Sequence, residues 1–145
     1  MTIDTALNPV VLQNSVVADL LAPYEKIESW PAGEVLFREG TRPEGVYFLH
    51  SGEVDLCFSS PRSGEARSLL IAGPGEILGL ACVVSGRPHE SSATTRATCI
   101  TGFIDRTRFL RLLDDKPTLW LTVLRMISTN INACWDCMRA LSAAR

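Results

Sequence analysis

Two stretches of this chain carry residue types that do chemistry in other proteins. The first, EILGLACVVSGRPHESSATT (residues 76–95), places Gly79 before a short apolar run, turns at Ser85-Gly86, and continues into small and hydroxyl-bearing residues. Such an arrangement raises the question of a phosphate cradle. Ser91, Ser92, Thr94 and Thr95 offer hydroxyl donors for a neutral or weakly anionic ligand, although Thr is also a good strand former and Ser packs closely. Arg87 and His89, on the turn before that strand, are within reach of an anion, yet charges without a partner set read as solvated turn residues.

The second stretch is CWDC (residues 134–137), a C-x-x-C pair. Thioredoxin-type activation needs the attacking cysteine at a helix N-terminus, where the dipole lowers its pKa. Here the pair falls late in a helical pattern. Two chains side by side would bring four thiolates together, enough for zinc or an iron–sulfur cluster, but Cys134 serves equally as a small buried hydrophobe. No metal and no cofactor is expected. His50 and His89 have no paired nucleophile motif, and G-x-S-x-G, P-loop and H-E-x-x-H patterns are absent, so an enzyme is not expected either.

The elements that must position these groups follow from the pattern of apolar residues and glycines. The chain has 145 residues, 46 % hydrophobic and 21 % charged, which suits one globular domain. From Lys26 to Asp105 the sequence breaks into short apolar pieces between glycine turns: EVLF, GVYFLH, EVDLCF, RSLLIA and finally CITGFID. Nine of the ten glycines lie between positions 33 and 86, the spacing of hairpins in a sandwich or barrel. Residues 1–25 read as one or two short helices, 26–105 as the β-domain, 106–116 as a short helix, and 117–143 as a long helix opened by Pro117. Along that helix Trp120, Leu124, Ile127, Ile131, Cys134, Met138 and Leu141 recur in alternating steps of four and three. This is a heptad seam on a helix about 40 Å long, more than so small a domain covers, and it predicts pairing with a second copy.

Charge and cysteine content narrow the class. The formal net charge is -2, with scattered arginines, so there is no electrostatic footprint for nucleic acid. No apolar run approaches a membrane span and the N-terminus lacks a signal-peptide pattern. With five cysteines, the expectation is a cytoplasmic chain with reduced thiols, not associated with membranes.

The ordered set PAGEVLFREGTRPEGVYFLHSGEVDL (31–56), GPGEILGL (73–80), SSATTRATC (91–99) and IDRTRFLRLL (104–113), followed by the proline-opened helix, resembles the effector domain of the CRP/FNR family, the cyclic-nucleotide-binding fold. The resemblance implies a mainly β fold with α: a jelly-roll or β-roll of eight strands, short N-terminal helices and a long C-terminal dimerisation helix. It also implies a signal-sensing, regulatory role in transcription.

In nucleotide-binding members, the resemblance implies, the first stretch is a phosphate-binding cassette. A glycine precedes a short helix, the next residue is a glutamate that accepts from the ribose, and an arginine on the following strand pairs with the phosphate. Gly79 matches the glycine, followed here by Leu80 and Ala81. Ser91 stands where the arginine belongs, before Ser92 and Ala93, and Cys134 and Trp135 replace the Thr-Ser pair that meets adenine. Losing two charge-assisted contacts removes ~3–6 kcal/mol, which turns a micromolar site into one of roughly millimolar order or weaker. A homodimeric, non-enzymatic sensor that binds cyclic AMP weakly or not at all is therefore expected, with room for another small molecule. The alternatives are a redox- or metal-responsive switch through Cys134 and Cys137, and a regulator's effector half or a protein-interaction module. The few residues after Leu141 are too short for a helix-turn-helix, so no direct DNA binding by this chain is expected.

Overall fold

The computed structural model describes residues 17–60 and 62–128. Eight strands form two four-stranded antiparallel sheets. One sheet runs β1 (Lys26–Trp30), β8 (Cys99–Asp105), β3 (Gly45–Ser51), β6 (Ile77–Leu78). The other runs β2 (Val35–Phe37), β7 (Ser92–Thr95), β4 (Val54–Ser59), β5 (Ala66–Ala72). The glycine-bounded apolar pieces are strands, as their spacing predicts, and the two sheets form the expected β-roll.

Helical residues 17–21 (α1) precede the roll, followed by a single 3₁₀ turn, Ala22–Tyr24. Helix α2 (Leu80–Ser85) interrupts it between β6 and β7, and α3 (Arg106–Asp115) leaves it directly from β8. Asp105 caps α3, its carboxylate accepting from the Arg108 amide at 3.0 Å, the usual device for an orphan N-terminal amide. Residues 117–128 are helical (α4).

Strand β3 is buried on both faces because its alternate side chains serve two cores. Leu49 faces the roll interior with Leu36, Val54, Ala72, Leu78, Ala93 and Cys99. Val46 and Phe48 face the helical layer, where they meet Leu80 and Val83 of α2, Phe109, Leu112 and Leu113 of α3, and Leu119, Val123 and Met126 of α4. The α2 helix is thus part of the same apolar layer as α3 and α4.

A second consequence of this packing is a carboxylate laid across three strands. Glu25, whose side chain is 3 % exposed, reaches over β8 to His50 on β3, with Oε2 3.1 Å from Nε2. Gly102 is the residue it crosses, and a Cβ there would collide with the Glu25 carboxyl. The other Glu25 oxygen is buried without a hydrogen-bond partner among the described residues.

Of the seven seam positions, Trp120, Leu124 and Ile127 lie in the described residues; Ile131, Cys134, Met138 and Leu141 lie outside them. Leu119, Thr122, Val123 and Met126 form the buried face of α4. Trp120 and Leu124 are turned outward with Leu121, at 36 %, 51 % and 55 % exposure. Ile127 instead packs half-buried against the helical core, so the free apolar face is shifted by part of a turn from the predicted stripe.

Candidate functional site

Gly79 adopts a left-handed conformation (φ +79°) at the start of α2, which is why this position suits glycine. Its carbonyl accepts from the Val83 amide at 2.9 Å, and the Gly86 amide closes the helix on the Cys82 carbonyl at 2.8 Å. The α2 helix is tied to the root of α3 by Arg106, whose Nε donates to the Val83 carbonyl at 2.8 Å. A guanidinium at carbonyls of a helix C-terminus is a favourable placement.

The structure distributes the predicted cassette residues unevenly. Leu80 points into the helical core at 2 % exposure, away from the roll interior. Ala81 is exposed, Ser91 and Ser92 are half-buried, and Ala93 is fully buried on β7. The hydroxyls do mostly structural work. Ser92 Oγ accepts from the Glu39 amide at 2.9 Å. Thr95 Oγ1 accepts from the Glu34 amide at 2.9 Å and donates to the Pro31 carbonyl at 2.7 Å, fastening the turn between β1 and β2. Cys134, Trp135 and Cys137 lie outside the described residues, and among those described no cluster of ligating side chains is placed to hold a metal ion.

Arg87 is exposed, as a turn residue would be. His89 is not, and here the surface reading fails. Its residue is 4 % exposed, and its ring stacks on Phe37 with centroids 3.9 Å apart and planes 15° apart. Its backbone is pinned on both sides: the amide donates to the Thr41 carbonyl at 2.9 Å, and its carbonyl accepts from the Gly40 amide at 2.8 Å. Burial pushes the imidazole pKa down, opposed in part by the Glu44 carboxylate, so the ring is held neutral. Its Cε1 would lie 3.2 Å from a Cβ at Gly79, followed by the Gly45 carbonyl oxygen at 3.7 Å and Phe37 at 3.8 Å. Two of the protein's own rings therefore stand against the cassette glycine.

These rings also border a cavity of about 530 Å³ outside the cassette, lined in part by Phe37, Arg38, Arg42, Glu44, Tyr47 and His89. Of the residues singled out in the sequence, His89 alone lines it. The others were invisible to motif reasoning, because Phe37 and Tyr47 read as ordinary strand residues and the 38–44 loop carries no chemical signature. Tyr47 lies 6.1 Å from Phe37 and 4.9 Å from Phe103 by ring centroids, and its hydroxyl donates to the Leu36 carbonyl at 3.2 Å. Burial, then the charges of Glu28 and Glu44, raise its pKa, so the phenol stays protonated.

Comparisons with known proteins bear on the same segment. A family model for the cyclic nucleotide-binding domain matches residues 27–116. The chain is 26 % identical over 120 residues to the CRP-like cAMP-activated global transcriptional regulator of Mycobacterium tuberculosis, covering 83 % of this chain and 53 % of that protein. It is 30 % identical over 115 residues to the HTH-type transcriptional regulator Cmr of the same species, covering 75 % of this chain and 46 % of that one. The crystal structure of the Thermus thermophilus catabolite activator protein is similar with a TM-score of 0.76 at 22 % identity, covering 88 % of this chain and 59 % of the other. The chain spans about half the length of the curated relatives it matches.

Proposed function

The chain belongs to the cyclic nucleotide-binding domain family, and on that premise we propose that it is a non-enzymatic regulatory module, homodimeric through α4, whose cassette does not take cyclic AMP in the family's manner. The observation that carries this reading is the set of groups around Gly79. The residue after it is packed into the core, the position that the family pattern gives to an arginine is Ser91, just before β7, and beside them stands the Phe37–His89 stack. None of these supplies the paired charges that hold a cyclic phosphate.

The regulatory part rests on how the cassette is wired to the helices. Leu80 and Val83 share one core with Leu112, Leu113, Leu119 and Val123, and Arg106 joins α2 to the root of α3. Close-packed apolar layers transmit displacement because they cannot deform without losing contacts. A shift of α2 therefore moves α3 and α4, and the exposed Trp120, Leu121 and Leu124 on α4 form the surface on which a second copy would feel it. Isothermal titration of the full chain with cyclic AMP and cyclic GMP tests the reading. No saturation below millimolar ligand is expected; micromolar affinity for either nucleotide would overturn it.

A further inference from the structure

The cavity beside the cassette has the make-up of a binding site in its own right. Part of its lining is aromatic: Phe37 and His89, stacked face to face on one another, with Tyr47 beside Phe37. A planar π system extends such a stack on its open face. Arg38 and Arg42 line the same space, are exposed, and have no carboxylate partner among the described residues. An unpaired guanidinium offers a planar fork that matches a carboxylate. The His89 side chain, though almost wholly buried, makes no hydrogen bond to any described residue, so its one donor and one acceptor nitrogen are left for a ligand. Glu44 is the remaining charge. It accepts from a hydroxyl and disfavours a dianion such as a phosphate monoester.

We propose that this cavity binds a planar hydroxyaryl carboxylate of one or two rings. The ring extends the Phe37–His89 stack, the carboxylate meets Arg38 and Arg42, and the hydroxyl sits between Glu44 and His89. The volume of about 530 Å³ lies in the ordinary range for small-molecule sites. Because His89 and Phe37 are also the groups against Gly79, an occupant would press on the start of α2, the element joined to the helices. For that regulatory consequence, though not for the binding itself, the site rests on the module proposed above.

Calorimetry of the full chain with 6-hydroxy-2-naphthoate and 4-hydroxybenzoate is the test, with 2-naphthol and cyclohexanecarboxylate as partners lacking the charge or the planar ring. Saturable binding of the hydroxynaphthoate is expected, about tenfold or more tighter than either comparison compound, and weakened about tenfold or more by combining Arg38→Ala with Arg42→Ala. Both arginines are exposed, so the thermal transition of that variant should match the parent and folding does not confuse the result. Phe37→Leu, which keeps apolar bulk but loses the ring, should erase the preference for the planar acid. No saturation by either hydroxyaryl acid at millimolar concentration, or an affinity indifferent to the arginine pair, would overturn the assignment. Micromolar cyclic AMP binding that persists in the arginine variant would instead overturn the cassette reading and leave this site to its own titration.

Discussion

Restoring the family's acidic residue by Leu80→Glu is the obvious attempt to give this cassette a nucleotide contact, and the structure predicts that it fails. Leu80 is 2 % exposed and packs with Val46, Phe48, Phe109 and Leu113. Removing a buried leucine side chain costs about 2–5 kcal/mol through lost transfer and cavity terms. The glutamate refills some of that space but brings a charge with no cation in the apolar cluster around it, and an uncompensated buried charge costs about 3–5 kcal/mol. The carboxyl escapes part of this by protonating or by swinging out at the cost of the packing. A net loss of about 3–5 kcal/mol follows, a large share of the 5–15 kcal/mol typical of a domain. By size scaling, it lowers the thermal midpoint by roughly 10–20 °C. The sign of its pH dependence is also set. A glutamate whose folded pKa is raised contributes least destabilisation when protonated, so the deficit relative to the parent shrinks as pH falls through that raised pKa toward the ordinary value near 4.3. Calorimetric melting of parent and variant from pH 5 to 8, with cyclic AMP titration of each, checks both parts. A variant with an unchanged midpoint and new micromolar affinity would refute the reasoning, since it would mean the side chain at this position faces a ligand space.

Gly102→Ala is expected to cost about 2–5 kcal/mol, because Glu25 must leave His50 to clear the new methyl and both a charge-assisted hydrogen bond and local packing are lost. In a Glu25→Ala background the same change should cost under about 1 kcal/mol, and equal costs in the two backgrounds by urea unfolding would dismiss the crossing-carboxylate account. His89, whose folded pKa lies below its ordinary value, should make stability decline as pH falls from about 6.5 toward that lower pKa and level off beyond it. His89→Phe should flatten this part of the profile in guanidinium titrations, and an unchanged slope would assign it to another group. Leu121→Glu with Leu124→Glu replaces two half-exposed side chains, so it should leave the monomer's stability within about 0.5 kcal/mol while abolishing dimers in sedimentation velocity; a persistent dimer would place the interface elsewhere.

Much of the roll was legible along the chain because its signals are local. Glycine at the turns and short apolar runs between them mark β3, β4, β5 and β8 without any knowledge of their partners. β6 was not legible, since Ile77–Leu78 is two residues long and exists as a strand only by pairing with Tyr47 and Phe48. The α4 stripe was half legible. Its apolar residues are evident, yet which of them face the core is decided by how α3 docks, and so Ile127 turns inward while Leu121 joins the exposed face.

The cassette divides in the same way. Gly79 announces a turn by its type, and the want of a glutamate and an arginine at positions 80 and 91 is visible by comparison with the family pattern. The burial of His89 has no such local mark. It is one residue in a polar turn, and its environment is set by Phe37 of β2 and Thr41 in the loop after it, far away in sequence.

What the amino-acid order alone determined, then, is most of the strands and the residue types at positions 80 and 91, since both depend on residue type and near-neighbour spacing. Only the tertiary structure decided that Leu80 belongs to the helical core, that Glu25 crosses Gly102 to His50, and that Phe37, Tyr47 and His89 gather beside two arginines. Those facts depend on strand order and on β2, β3 and the β7 approach meeting in space. Burial, ring stacking and the unpaired state of a charge are properties of that meeting, not of any one segment.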